Sequence, residues 1–137
     1  MIKLKKEIKI GESKYSLENV IPKLLWSNPD PSIAFPEQKV QLDLSKYDIV
    51  DIFYVTATNE TNEVYVKRIL KNYQSMLTRA WNGGDGHVHQ FRRIATVADD
   101  GISFSTADRS GAGNYTNGYT DKIIPIHIIG YNSKLFN

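Results

Sequence analysis

Met76-Leu77-Thr78-Arg79-Ala80-Trp81 and Val88-His89-Gln90-Phe91-Arg92-Arg93-Ile94-Ala95-Thr96-Val97 stand on either side of Asn82-Gly83-Gly84-Asp85-Gly86. The glycines and Asn82 suit the backbone of a tight turn, and apolar or aromatic residues recur on both flanks, so the stretch predicts a β-hairpin. This reading decides the fold because the residues just before it are ambiguous. Val66, Ile69, Leu70 and Tyr73 have helical spacing, and a helix between Tyr65 and Met76 is the chief competing assignment. We take Val64-Tyr65-Val66 leading to Ile69-Leu70 as a strand instead. Upstream, Ile49-Val50-Asp51-Ile52-Phe53-Tyr54-Val55-Thr56-Ala57 is β-branched and aromatic with apolar residues on both faces, which predicts a central strand. Val40, Leu42 and Leu44 alternate with Gln41 and Asp43 in the period of a half-buried strand, and Ser45-Lys46-Tyr47-Asp48 is the turn that follows. Asn59 to Asn62 reads as another turn. Downstream, Asp99-Asp100-Gly101 turns the chain into Ile102-Ser103-Phe104-Ser105, and a last strand covers Ile123 to Ile129. About seven strands with turns every 8 to 12 residues or so predict an all-β fold, an antiparallel β-sandwich or barrel.

The chain has 137 residues, enough for one domain with a real core. Hydrophobic residues are 41% and charged residues 23%, which excludes a disordered, collagen-like or coiled-coil chain. No apolar run approaches the ~20 residues of a membrane-spanning helix. Met1 to Lys6 carries lysines without a continuous apolar stretch or a small-residue cleavage site, so no signal peptide is expected. Cysteine is absent, removing disulfides and thiolate zinc sites. Seventeen basic residues against 15 acidic ones leave a net charge of +2, too even to argue for nucleic acid. Four of the five prolines (Pro22, Pro29, Pro31, Pro36) precede residue 37. Proline cannot donate to a β-ladder, so this region reads as an arm and connection. We place an N-terminal arm at 1–22, with Lys3 to Ile10 as one strand ended by Gly11, and the sandwich domain at 23–137.

Residues 108–121, Asp-Arg-Ser-Gly-Ala-Gly-Asn-Tyr-Thr-Asn-Gly-Tyr-Thr-Asp, show no apolar periodicity and read as a long loop. Tyrosine gives contact area at small entropic cost, while Ser, Gly and Asn adapt hydrogen bonds, the mixture found in binding loops. Tyr115, Tyr119, Asn114 and Asn117 are the candidate ligand contacts, with Asp108 and Arg109 at the loop base. Trp81, beside the glycine-rich turn, is a candidate stacking platform or a core residue, and Trp26 is read as packing the arm onto the sandwich. His87 and His89, two apart on an expected strand, share a side and are candidate metal ligands, with Asp85 or His127 as a third. A metal needs three or more convergent ligands, so no metal or other cofactor is expected. Asp99-Asp100-Gly101 lacks the alternating acidic positions of a calcium loop, and the side chains of Arg92 and Arg93 face opposite ways. Asp51, the acidic residue within the central strand, is read as facing an edge or a partner. There is no Gly-x-Ser-x-Gly elbow, phosphate-cradling glycine loop or His-Glu-x-x-His, and an enzyme is not expected.

Leu25-Trp26-Ser27-Asn28-Pro29-Asp30-Pro31, then Phe35, Gln38, Val40, Leu42-Asp43-Leu44-Ser45 and Tyr47-Asp48, resembles the opening of a domain common in phage and prophage tail proteins of Gram-positive hosts. The later pieces also fit: Arg92-Arg93, Asp100-Gly101-Ile102-Ser103-Phe104, a Gly/Asn/Tyr segment, and Ile124-Pro125-Ile126-His127-Ile128-Ile129-Gly130-Tyr131. The resemblance covers about residues 23–132 and departs from the pattern in lacking a long fibre shaft. It implies a jelly-roll-like sandwich in a tail, baseplate or tail-fibre component of the virion, made in the bacterial cytoplasm. It also implies a homotrimer that contacts other tail proteins and a host cell-wall saccharide, without nucleic acid or membrane insertion. An accessory assembly protein and an isolated carbohydrate-binding module are the alternatives.

Overall fold

The computed structural model describes residues 7–10, 13–16, 21–58, 60, 63–111 and 114–133; for 7–10, 13–16, 114 and 115 this concerns the backbone alone. Twelve strands are present among them: β1 (Glu7–Ile10), β2 (Ser13–Ser16), β3 (Lys23–Ser27), β4 (Gln38–Gln41), β5 (Ile49–Ala57), β6 (Tyr65–Leu70), β7 (Gln74–Asn82), β8 (Val88–Ala98), β9 (Gly101–Phe104), β10 (Asp108–Gly111), β11 (Asn114–Asn117) and β12 (Lys122–Tyr131). The strands pair antiparallel throughout, and β1 pairs with β2 as a separate hairpin. Residues 1–6, where the single-strand reading of the arm begins, lie outside the described residues, as do most of 59–62.

One sheet has the order β3-β12-β5-β6. β5 lies between β12 and β6, as its two apolar faces predict. The other sheet is built on β8. β7 pairs with β8 from Gln74↔Thr96 to Asn82↔Val88, which is the hairpin expected from the glycine-rich turn. The opposite edge of β8 is shared: β9 pairs with Ala95 to Ala98, β10 pairs with Gln90 to Arg92, and β4 and β11 extend these two halves outward. The chain passes between the sheets at four connections, giving an antiparallel β-sandwich. No helix forms between Tyr65 and Met76; β6 runs into a tight turn with Asn72 at φ 73°, and the helical spacing there is overridden by cross-strand pairing.

The long loop expected at 108–121 is instead the β10–β11 hairpin. β10 is held by ladder hydrogen bonds to the edge of β8 and β11 by those to β10, so no alternation is needed to mark them. Strand β4 is also shorter than expected. Beyond Gln41 the amides of Leu42 and Leu44 bond to the carbonyls of Asp100 and Asp99, and Leu44 drops into the core.

Between the sheets lie Val50, Ile52 and Tyr54 of β5, Ile128 of β12, Leu77 of β7, Val97 of β8, Ile102 and Phe104 of β9, and Phe35 from the connection. Trp26 lies in β3, the sandwich's own edge strand, and meets Phe35 edge-on at 6.2 Å. Arg93 is fully buried among these apolar residues. Its Nε donates to the carbonyl of Ile123 (2.7 Å), Nη1 to that of Ser105 (2.6 Å) and Nη2 to that of Lys122 (2.9 Å), and the guanidinium lies 5.2 Å from the Phe35 ring centre. Burial draws its pKa down to about 10.

Candidate functional site

Along the inner face of β8 the residues pass from buried Val97, Ala95 and Arg93 to half-buried Phe91 and His89; along β7, buried Leu77 gives way to half-buried Arg79 and Trp81. Period-two alternation puts all of these on one face. The second sheet therefore stops covering this face toward the β7–β8 turn. What it leaves open is an aromatic floor. Trp81 stacks with its cross-strand partner His89 (5.7 Å) and meets Phe91 at 5.2 Å, and Phe91 meets Tyr119 edge-on at 5.5 Å.

Cations surround this floor. The Arg109 guanidinium lies 5.8 Å from the Trp81 ring centre and 5.9 Å from that of Phe91; Lys122 Nζ lies 5.4 Å from Phe91. Arg79 is paired in register with Phe91 and lies 5.9 Å from the ring of Tyr65, which stacks on Tyr54. These distances fall within cation–π range. Two nearby carboxylates are already engaged. Asp85 accepts the His87 amide (3.0 Å) and contacts His89 Nε2 at 3.0 and 3.1 Å, while Glu63 accepts the Tyr65 hydroxyl. The hydrogen bonds from His87 and His89 hold the Asp85 carboxyl below the usual aspartate range.

Glycine makes this packing possible at two points, Gly83, where a Cβ would lie 2.5 Å from His89 Cδ2, and Gly111. Gly111 sits at φ 155°, and a Cβ there would lie 2.2 Å from His89 Nδ1, so the imidazole fills the space a side chain would need. Any larger residue would push His89 off Trp81.

Of the residues singled out in the sequence, Trp81, Arg109 and Tyr119 come together here. Asp108 does not. It lies on the opposite face of β10 from Arg109 and accepts from Arg92 Nε at 2.6 Å. Asn117 is exposed and shares register with Asp108, so it too belongs to the far face. Asn114 pairs with Gly111 and Tyr115 with Ser110; their side chains lie outside the described residues. His87 precedes β8 and sits in the turn, so the same-side reading of His87 and His89 does not hold. His127 lies on the other sheet, where its Nδ1 is 2.8 Å from Ser27 Oγ. Among the described residues no three His, Asp or Glu side chains gather as a metal site.

Phe91, Lys122, Arg79 and Tyr65 were missed. The alternation of Arg79 with Trp81 and of His89 with Phe91 was a usable signal, because paired strands of a hairpin put those four on one face. Lys122 and Tyr65 come from distant strands, and nothing local announces them.

A second concavity of about 480 Å³ lies on the outer side of the β3-β12-β5-β6 sheet, between Asn28, Pro31, Val55, Val64, Ile126 and His127. Farther along that outer face, Arg68 grips Asp51 with two bonds (2.8 and 3.0 Å) and lies 4.9 Å from the Tyr131 ring. Asp51 thus faces a cross-strand arginine in the middle of the sheet, not an edge.

Fold and site together define an antiparallel β-sandwich with a cationic aromatic face. Comparison with protein-family models, with curated proteins and with solved structures finds no match to this chain. The tail-protein resemblance rests on the sequence motifs themselves.

Proposed function

We propose that this protein is a phage tail or baseplate component whose sandwich serves as a saccharide-binding head for a host cell wall, without catalysis. The observation that carries the reading is the open floor of Trp81, Phe91 and Tyr119 under Arg109. Flat aromatic faces present apolar area to sugar rings at little entropic cost, and the guanidinium supplies directional donors to hydroxyls. A rigid sheet holds these groups in place before any ligand arrives, which limits the ordering entropy lost on binding. The engagement of Asp85 and Glu63 with neighbouring side chains suits binding better than acid–base chemistry.

The test is sedimentation of the protein with purified host cell walls. Trp81→Ala is expected to weaken retention at least about tenfold, the loss typical of a central aromatic contact, with the thermal midpoint nearly unchanged. Unaltered retention in that variant would remove the platform from the reading.

A specific observation favours a second reading, an accessory assembly protein. On the outer face of the β3-β12-β5-β6 sheet Val66 and Leu70 of β6 are 50% and 52% exposed on either side of Arg68, and Leu24 of β3, at the opposite edge, is 56% exposed; exposed apolar side chains of this kind suit contact with another tail protein or another copy in a homotrimer.

A further inference from the structure

Resting on the saccharide-binding reading, we infer that the ligand is an anionic glycan, one carrying carboxylate or phosphate groups along its chain, and that Arg109 is the residue that selects for the charge. Three cationic side chains, Arg79, Arg109 and Lys122, border one aromatic floor no larger than Trp81, Phe91 and Tyr119. Among the described residues the Arg109 guanidinium makes no ion pair or hydrogen bond; it is exposed and simply lies over two rings. Arg79 donates to the carbonyl of Ala80 and has no carboxylate partner among the described residues. Lys122 has only the exposed Asp121, at 3.9 Å.

A neutral sugar needs the aromatic face and a few hydroxyl partners, and it gains nothing from gathering three like charges. Like charges gathered on one face repel one another, and an anion arriving between them relieves that repulsion. Guanidinium is also the group best shaped to take a carboxylate or phosphate through two parallel bonds. The protein's small overall charge of +2 makes the concentration of cations here a property of the site and not of the whole surface. Of the carboxylates of this region, Asp85 is turned toward His89 and His87 and Glu63 takes the Tyr65 hydroxyl, so among the described residues only Asp121, beside Lys122, is paired with one of the three cations.

Affinity electrophoresis of the intact chain through gels containing dextran, polygalacturonate, poly(glycerol phosphate) or polyglutamate tests this. Retardation is expected with polygalacturonate or poly(glycerol phosphate), the stronger of the two identifying carboxylate or phosphate as the source of charge. Arg109→Gln should reduce it about tenfold and Arg109→Lys less, because lysine keeps the charge without the fork. Raising the salt from low to physiological strength should weaken it, since exposed charges are screened over about 8 Å there. Equal retardation by dextran, with Arg109→Gln behaving as the parent, would overturn the anionic ligand and leave saccharide binding standing. Retardation by polyglutamate as strong as by the glycans, and unaffected by Trp81→Ala, would reduce the effect to bulk charge and overturn the inference. No retardation by any glycan would overturn both.

Discussion

Arg93 shows what one side chain does in this sandwich. Its three donors go to backbone carbonyls of Ser105, Lys122 and Ile123, which belong to the break after β9 and the start of β12. Ile123 adopts φ 48°, a left-handed conformation that a β-branched residue rarely takes and that costs on the order of 1–3 kcal/mol. The guanidinium bonds offset that strain and set the position of Lys122, hence of one cation on the aromatic floor. Arg93→Met would leave three carbonyls without donors in an apolar interior. The expected loss is about 3 kcal/mol or more, read as a fall in the urea midpoint with an unchanged slope. A variant as stable as the parent would mean that the carbonyls find other donors. Arginine next to arginine in a strand signals opposite faces, and that much was legible. Which of the two would be swallowed by the core depended on the carbonyls of residues 105, 122 and 123, far along the chain.

At the scale of the element, the β7–β8 hairpin is held at its tip by Asp85, and the same arrangement recurs elsewhere. Asp30 accepts the amide of Ser32, and Asp43 that of Ser45, each carboxylate bonding two residues ahead. The Ser32 and Ser45 hydroxyls, and then these amide hydrogen bonds, hold Asp30 and Asp43 below their ordinary pKa of 3.8, the His87 amide and His89 hold Asp85 there, and Lys39 does the same to Asp100. A lowered folded-state pKa means that the stabilisation is present above about pH 3.8 and is lost as pH falls through the folded value. Thermal midpoints should therefore hold steady from pH 7 to 5 and drop below pH 4. In Asp85→Asn, which keeps an acceptor for the His87 amide but loses the charge facing His89, part of that acid dependence should disappear. An identical acid profile would show that Asp85 does not contribute. The hairpin itself was readable from its glycines and its paired apolar strands. The β10–β11 hairpin was not: its ladder bonds are main-chain, and main-chain bonds leave no mark on residue type.

For the whole molecule, the two sheets differ in how they meet solvent. One carries the aromatic floor where its partner sheet ends; the other exposes Val66 and Leu70 around the Asp51–Arg68 pair and Leu24 at its opposite edge. Tyr54 ties the sheets together, its hydroxyl donating to the carbonyl of Thr78 (2.8 Å) and accepting from its amide (3.1 Å), which also occupies the free edge of β7. With the apolar face covered by copies of the chain, light scattering after size exclusion should give a mass of three chains, and Val66→Lys with Leu70→Lys should shift it toward one. A single-chain mass for the parent would assign that face to a different protein and weaken the homotrimer.

The class of fold was legible in the sequence, because the β-branched, two-faced apolar run of β5 and the glycine-rich turn between β7 and β8 are local patterns with one good structural solution. It also marked Trp81, Arg109 and Tyr119, whose types suit binding wherever they fall. Tertiary contacts bring these three together, add Phe91 and Lys122 to them, and turn Asp108 and Asn117 away. The reason is physical: a strand's residues alternate in side, so function on a sheet depends on register and on where the opposing sheet ends, and both are set by contacts between residues distant in the chain.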